Sequence, residues 1–474
     1  MLPAFQSEPL TDFSKPENQK AFTAALDRVK QNYIGRAYPL VIGGDELKLD
    51  DTFASINPAR PWESVGTFAN GTAAHADQAI MRAAAAFKTW QYTPVDERAR
   101  YLLRAAAEMR RRKHEFNAVM ALEVGKSWAE AEADTSESID FMEYYARQML
   151  RIADSSHQLA PYPPEQVSFT YIPLGVGVVI PPWNFPNAIT AGMVAASLVA
   201  GNTVVVKPAE QSPLIGYMIC ELFWNQGLPD GVLNFLTGPG EIVGARMVEH
   251  PETRFIAFTG SRDVGVEIYA KAAIVQPGQK WLKRSILEMG GKDAIVVDET
   301  ADLEAAAAGI VASAFGFQGQ KCSAASRAII VGDVYETVAE RVVTLAQQLT
   351  VGATDSSPDV NMGPVIEEDA FNRIRRYIQQ GVNEGELLTG GMPDSPDNGY
   401  FVQPTVFGEV TPDAKLAQDE IFGPVLALLR ASDYGNALDI ANGTPYGLTG
   451  AVYSNDRARL EQARREFHVG NLYF

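Results

Sequence analysis

Cysteine is nearly absent from this chain: only Cys220 and Cys322 occur among 474 residues. Two thiols cannot build a disulfide framework, and their scarcity points to a reducing compartment. Histidine is scarce as well. The five present (His75, His114, His157, His250 and His468) follow no metal-ligand spacing, so no metal is expected in the chemistry. No run of about 18 apolar residues occurs, which argues against a membrane span. Residues 1–20 lack the apolar core of a signal peptide, and the expected location is the cytoplasm. Positive charge is in deficit. Forty basic against 58 acidic side chains leave a formal charge of −18, a field that opposes nucleic acid and anionic membrane surfaces. The one basic run, Arg110-Arg111-Arg112-Lys113, lies in a helical stretch beside acidic neighbours and reads as a solvated helix face. A G-x-S-x-G nucleophile elbow is also missing.

What is present is ordinary globular material, 46% hydrophobic and 21% charged, long enough for two or three domains. Residues 1–36 read as polar helix, and residues 37–70 as strand pieces broken at Gly43-Gly44-Asp45 and Asn57-Pro58, a hairpin. From Ala73 to Leu150 the pattern is almost continuous helix. Then short apolar runs alternate with helical segments: strands near 176–180, 203–207, 232–236 and 255–258, helices near 187–200, 213–226, 241–248 and 263–273. That rhythm predicts an open, doubly wound α/β sheet, and a second alternating region starts at Ile286. The Pro-rich stretch 157–171 ends in strand-like alternation and reads as an arm.

Sheets of this kind bind ligands beyond the carboxyl ends of their strands. The turns there are Pro182-Trp183-Asn184-Phe185-Pro186, Lys207-Pro208-Ala209-Glu210, Gly238-Pro239-Gly240 and Thr259-Gly260-Ser261. Gly238-x-Gly240-x-x-x-Gly244 is one residue too long for the dinucleotide fingerprint. Gly260-Ser261, opening a helix after a strand, can offer backbone N–H groups to a phosphate. Gly125-Lys126-Ser127 looks like a P-loop tail, but Met120 stands where the first glycine is required and the segment reads as helix. Cys220 falls in an apolar helical stripe and reads as core. Cys322, in Gly319-Gln320-Lys321-Cys322-Ser323-Ala324, has small and polar neighbours. With Glu288 upstream it makes the pair needed for covalent catalysis through a thioester.

Six segments taken together resemble the aldehyde dehydrogenase superfamily, in that family's order. They are Pro182-Trp-Asn184-Phe-Pro186, Lys207-Pro-Ala-Glu210, Phe258-Thr-Gly260-Ser261, Leu287-Glu288-Met-Gly-Gly291-Lys, Gly319-Gln-Lys-Cys322 and Glu420-Ile-Phe422-Gly-Pro424. The wording around Cys322 is similar to that of the members that oxidise L-glutamate γ-semialdehyde to glutamate in proline catabolism. The resemblance implies two doubly wound α/β domains plus a small oligomerisation arm. Residues 1–156 and 176–286 would bind NAD, 157–175 would form the arm, and 287–470 would be catalytic. It implies Cys322 as nucleophile, Glu288 as the base that activates water, and Asn184 as an oxyanion donor. Lys207 and Glu210 would meet the adenosine ribose, and the Glu210 carboxylate would favour NAD over NADP. Gly260 and Ser261 would meet the pyrophosphate, and Glu420 and Phe422 the nicotinamide ribose. Ser323, Phe185 and Glu137 would face the substrate. Glu288 is expected in a closed pocket that raises its pKa.

In the family, a Gly-rich segment that lines the aldehyde pocket and a strand that joins a neighbouring subunit follow the position of Phe474. The expected partners are a small aldehyde and further copies of the chain, with neither nucleic acid nor membrane. Alternatives are another semialdehyde dehydrogenase, such as one for succinate semialdehyde, or a non-catalytic scaffold on the same fold. A CoA-acylating relative fits less well, because Glu288 is present and transfer to CoA does not call for a water-activating glutamate.

Overall fold

A computed structural model describes residues 2–154, 159–160, 162–393 and 395–474. The chain divides into two compact units. One holds Met1–Ile56, Glu63–Glu123 and Ala131–Glu288, and the other holds Asn57–Trp62, Val124–Glu130 and Met289–Phe474. The second unit thus includes two short excursions from the amino-terminal half that alternation of helices and strands does not reveal.

In the first unit, helix α1 (Pro16–Asn32) buries Phe22, Ala25, Leu26 and Val29, a stripe at helical spacing. Residues 2–15 are irregular rather than helical, as Pro3, Pro9 and Pro16 lack the amide and disfavour helix just before them. Next come β1 (Arg36–Tyr38), β2 (Leu40–Ile42), β3 (Asp45–Leu47), β4 (Thr52–Asn57) and β5 (Arg60–Ala69). The expected single hairpin is two structures. β2 and β3 pair antiparallel around Gly43 (φ 65°) and Gly44 (φ 89°), a turn that needs glycine, while β1, β5 and β4 form a separate small sheet.

Four helices follow: α2 (Ala73–Trp90), α3 (Val95–Arg111), α4 (Lys113–Glu123) and α5 (Trp128–Ala153). The basic run is solvated only at its start. Arg112 is half-buried and Lys113 buried, the first 3.0 Å from Glu115 and the second 2.6 Å from Glu132. Opposite charges supplied by the same helical region let these two turn inward.

The main sheet of this unit is built from β6 (Val176–Ile180), β7 (Thr203–Val206), β8 (Leu233–Phe235), β9 (Thr253–Thr259) and β10 (Arg284–Glu288), with α6 (Ala188–Val199), α7 (Pro213–Trp224), α8 (Ala245–Glu249) and α9 (Arg262–Ala273) between them. Its order is β10-β9-β6-β7-β8-β2-β3, parallel from β10 to β8. β6 and β7 are almost wholly apolar because helices cover both faces. Cys220 is fully buried on α7, and burial pushes its thiol up.

The expected arm begins at His157, which with residues 155, 156, 158 and 161 lies outside the described residues. Of the remainder, Tyr162 and Glu165 make one bridge, and residues 166–175 join no ladder. Strand geometry needs a paired neighbour to accept its hydrogen bonds, and residues 166–175 have none among the described residues of this chain. Val167, Phe169, Tyr171 and Ile172 are exposed.

The second unit carries β11 (Asp293–Val297), α10 (Leu303–Phe315), β12 (Ala325–Val331), α11 (Tyr335–Ala346), α12 (Glu368–Gly381), β13 (Glu386–Thr389), β14 (Thr405–Gly408), α13 (Lys415–Gln418), β15 (Val425–Ala431), α14 (Tyr434–Asn442), β16 (Thr449–Tyr453), α15 (Arg457–Glu466) and β17 (Asn471–Tyr473). Its sheet runs β13-β14-β15-β12-β11-β16-β17, parallel throughout except for β13. Ile295, Ile310, Ala328, Ile330, Val338 and Leu428 are in its core. Among the described residues, no helix is long and apolar enough to cross a membrane.

Candidate active site

In the first unit, four neighbouring parallel strands end along one edge. The register pairs Val179 with Val206, Ile180 with Phe258, and Thr259 with Glu288, so the turns after β7, β6, β9 and β10 stand in a row. Asn184 (buried) and Phe185 (half-buried) follow β6. Lys207 and Glu210 follow β7, Gly260 and Ser261 follow β9, and Glu288 closes β10.

Lys207 is buried, and its Nζ donates to Glu210 Oε1 at 2.9 Å and to the Pro208 carbonyl at 3.2 Å. Beside this pair runs the glycine turn that opens α8. A Cβ on Gly240 would lie 3.8 Å from Glu210 Oε1, and one on Gly244 would lie 3.7 Å from Lys207 Cδ. Glycine at both places leaves a shallow open cradle next to a cation and a carboxylate, which fits the ribose end of a dinucleotide. Gly260 packs on the Phe258 ring, where a Cβ would come within 2.5 Å, and its N–H donates to the Glu288 carbonyl at 3.1 Å. Ser261 is the N-cap of α9, its Oγ accepting from the Val264 N–H at 3.4 Å. The helix start presents N–H groups where a phosphate oxygen would be favoured.

Glu288 departs from expectation. It is exposed rather than enclosed: β10 is the edge strand of its sheet, and Arg284, Ile286 and Glu288 along it are all exposed. Glu137 is also exposed. It sits on α5 rather than on a strand-end turn, and its charge adds to the burial that pushes the Tyr145 phenol up.

The second unit places its chemical groups at the opposite end of the strands. Gly290-Gly291-Lys292 leads into β11, Cys322-Ser323 into β12, and Glu420-Ile421-Phe422 into β15; these three strands are close neighbours at the sheet's centre. Ligand binding beyond carboxyl ends therefore describes the first sheet and not the second.

The approach to Cys322 is contorted. Phe317 (φ 48°), Gln318 (φ 59°) and Gly319 (φ 67°) are left-handed in succession, and Phe422 (φ 56°) is left-handed too. Non-glycine residues in that region cost about 1–3 kcal/mol each and cluster at functional sites. Gly319 is the contact point between the two turns, because a Cβ there would fall 2.5 Å from the Gly423 carbonyl. The Glu420 carboxylate lies on the glycine turn: Gly291 N–H donates to Oε1 at 3.0 Å.

Cys322 is partly exposed, with its thiol pushed up to about 11, first by burial and then by the charges of Asp293 and Glu420. Asp293 is pushed up to about 7 by burial, and fully buried Lys292 is pushed down to about 7 by burial and by Arg327. Backbone N–H groups of Cys322 and Ser323 oppose the rise at the thiol, and no cation stands among its leading causes. Ser323, exposed, opens onto a cleft of about 320 Å³ that Asp293, Ser313, Thr449 and Tyr473 also line.

A thiol on a strained loop in one parallel α/β unit, and a dinucleotide-type strand edge in the other, define a thiol-dependent dehydrogenase as the class. The chain belongs to the aldehyde dehydrogenase family, whose model matches residues 47–474. It is 56% identical over its whole length to the 1-pyrroline-5-carboxylate dehydrogenase of Geobacillus thermodenitrificans and 57% identical to that of Geobacillus kaustophilus, covering 91% of each relative. A solved 1-pyrroline-5-carboxylate dehydrogenase from Thermus with bound NAD is 51% identical and superposes with a TM-score of 0.97 over all of this chain and 91% of that one. Proline utilization A from Bdellovibrio bacteriovorus is 44% identical over 99% of this chain and 48% of its own, with a TM-score of 0.95.

Asp293, Lys292 and the Gly240/Gly244 cradle went unassigned in the sequence. The sequence carries a signal for the cradle, a glycine turn between a strand and a helix that is one residue longer than the dinucleotide fingerprint. Lys292 only closes the Leu287–Lys292 segment and Asp293 follows it, and it is their burial that makes them unusual.

Proposed function

We propose that this chain oxidises L-glutamate γ-semialdehyde, the open form of 1-pyrroline-5-carboxylate, to L-glutamate with NAD, in proline catabolism. Support comes from relatives of that name along the whole chain and from the NAD-bound Thermus neighbour. The observation that carries the reading is Cys322 itself, a partly exposed thiol at the head of β12 on a left-handed loop, with the Ser323 hydroxyl exposed beside it. A cytoplasmic homo-oligomer is proposed with it.

In this reading the Cys322 thiolate attacks the aldehyde carbon and forms a thiohemiacetal. The Asn184 amide donates to the oxyanion, a contact whose loss typically costs ~10²–10³ in turnover. NAD, when bound, supplies the acceptor for the hydride that leaves this carbon. Glu288 then takes a proton from water, which hydrolyses the Cys322 thioester, and its exposure gives it ready access to water. Lys207 and Glu210 would hold the adenosine ribose, Gly260 and Ser261 the pyrophosphate, and Glu420 and Phe422 the nicotinamide ribose. Ser323 would donate to the substrate carboxylate, Phe185 would flank its aliphatic chain, and Glu137 would meet its ammonium.

The test is NADH production with glutamate semialdehyde, succinate semialdehyde and propanal, by the wild type and by Cys322→Ala. The reading predicts the highest kcat/KM for glutamate semialdehyde and no turnover by Cys322→Ala with NAD binding kept. Turnover by Cys322→Ala would overturn the mechanism, and a preference for another aldehyde would overturn the substrate.

A further inference from the structure

Gly125-Lys126-Ser127 reads in sequence as a failed phosphate loop inside a helix. In the structure Gly125–Ser127 lie in the irregular link between α4 and α5, Trp128–Glu130 open α5, and the whole segment Gly125–Glu130 belongs to the second unit. Its partners there are the residues that lead to Cys322. Gln318 Nε2 donates to the Gly125 carbonyl at 3.2 Å and to the Pro364 carbonyl at 2.8 Å. The fully buried Lys126 ammonium lies 4.8 Å from the centre of the Phe317 ring. Lys321 Nζ, one residue before the thiol, is 2.7 Å from Glu130 Oε1. From the other side, the Ile366 N–H donates to Gln320 Oε1 at 2.9 Å. The segment is itself anchored, since Trp128 Nε1 donates to the Thr354 carbonyl at 2.7 Å. Gly125 has φ 68° and no room for a side chain, with Pro364 Cγ 2.8 Å from where a Cβ would be.

We propose that Gly125–Glu130 is a positioning brace for the nucleophile, with Lys126 and Glu130 as its two working side chains. Three consecutive residues before Lys321, Phe317 to Gly319, are left-handed, and for Phe317 and Gln318 that is a conformation L-residues disfavour, so something must hold them there. The left-handed cost at Phe317 and Gln318 is about 1–3 kcal/mol each. The contacts that offset it are a buried cation–π pair, two amide hydrogen bonds and a partly buried ion pair. Lys126 and Glu130 act on Cys322 only through Phe317 and Lys321, and so are not catalytic residues. The inference rests on Cys322 being the nucleophile of the proposed reaction.

The test uses the full chain with NAD and aldehyde. Glu130→Gln and Lys126→Met should each lower kcat by ~10–100-fold, the cost of about 1 Å of misplacement at a reacting centre. KM for NAD should stay within about twofold, since neither residue is assigned to the cofactor. The reversed pair, Glu130→Lys with Lys321→Glu, should recover most of the kcat lost by Glu130→Lys alone, and Lys126→Arg should recover part of the loss in Lys126→Met. A purely structural role would lower the melting temperature without either rescue. Cys322 alkylation by iodoacetamide is followed in parallel. It should still occur in every variant, at a rate changed from wild type. Wild-type kcat and wild-type alkylation in both single variants would overturn the brace. So would a kcat loss that the reversed pair and Lys126→Arg leave unrepaired. Turnover by Cys322→Ala would instead overturn the underlying assignment of the nucleophile, leaving the two failures distinct.

Discussion

Gly290→Ala tests the crowded contact between the Gly290-Gly291 turn and Glu420. A Cβ at Gly290 would lie 2.1 Å from Glu420 Oε2 and 2.4 Å from its Cδ and Oε1, far inside contact distance. Gly290 has no positive φ, so alanine suits its backbone and the clash falls on the Glu420 side chain. The carboxylate must leave the turn, breaking its 3.0 Å bond from the Gly291 N–H. A hydrogen bond to a charged group contributes ~1.5–3 kcal/mol, which converts to roughly 10–150-fold in an equilibrium. If Glu420 serves the nicotinamide ribose, Gly290→Ala should therefore lower kcat/KM for NAD by roughly one to two decades. The assay is a double-mutant cycle read by NADH production. Glu420→Ala alone should be similarly impaired, and adding Gly290→Ala to it should change little, because the clashing group is gone. Additive losses would refute the reasoning, as would a harmless Gly290→Ala.

The Cys322 thiol gives a pH prediction. Its pKa is pushed up to about 11, so in the cofactor-free protein the thiolate fraction, and with it the alkylation rate, should rise about tenfold per pH unit from 7 to 10. Asp293→Asn removes one of the two carboxylates that oppose ionisation, so alkylation at pH 8 should accelerate; an unchanged rate would mean that burial alone sets the thiol. Glu210→Ser removes an acceptor for a 2′-hydroxyl and a repulsion against a 2′-phosphate, so the NADP-to-NAD ratio of kcat/KM should rise. An unchanged ratio would place the adenosine ribose elsewhere.

The alternation of strands and helices was legible because the buried strands are short apolar runs and most of the turns between them carry glycine or proline. The expected strands at 203–207 and 255–258 are Thr203–Val206 and Thr253–Thr259, and the helix expected at 263–273 is Arg262–Ala273. What stayed hidden depends on partners remote in sequence. Lys113 reads as solvated until Glu132, 19 residues on, accepts its ammonium. Gly125-Lys126 reads as helix until Gln318 and Phe317 take its carbonyl and its charge. Glu288 reads as enclosed until β10 proves to be an edge strand. Periodicity reports which face of an element is apolar, and it is silent on which strand lies at the edge and which buried charge finds its counterion.

The central claim is covalent catalysis through Cys322 with water activated by Glu288, and one measurement meets it directly. Glu288→Gln is mixed with NAD and glutamate semialdehyde, quenched in acid after the NADH burst, digested and weighed by mass spectrometry. The account predicts one NADH per active site and a glutamyl thioester on the peptide that contains Cys322. An NADH burst of the same size with an unmodified Cys322 peptide would contradict it.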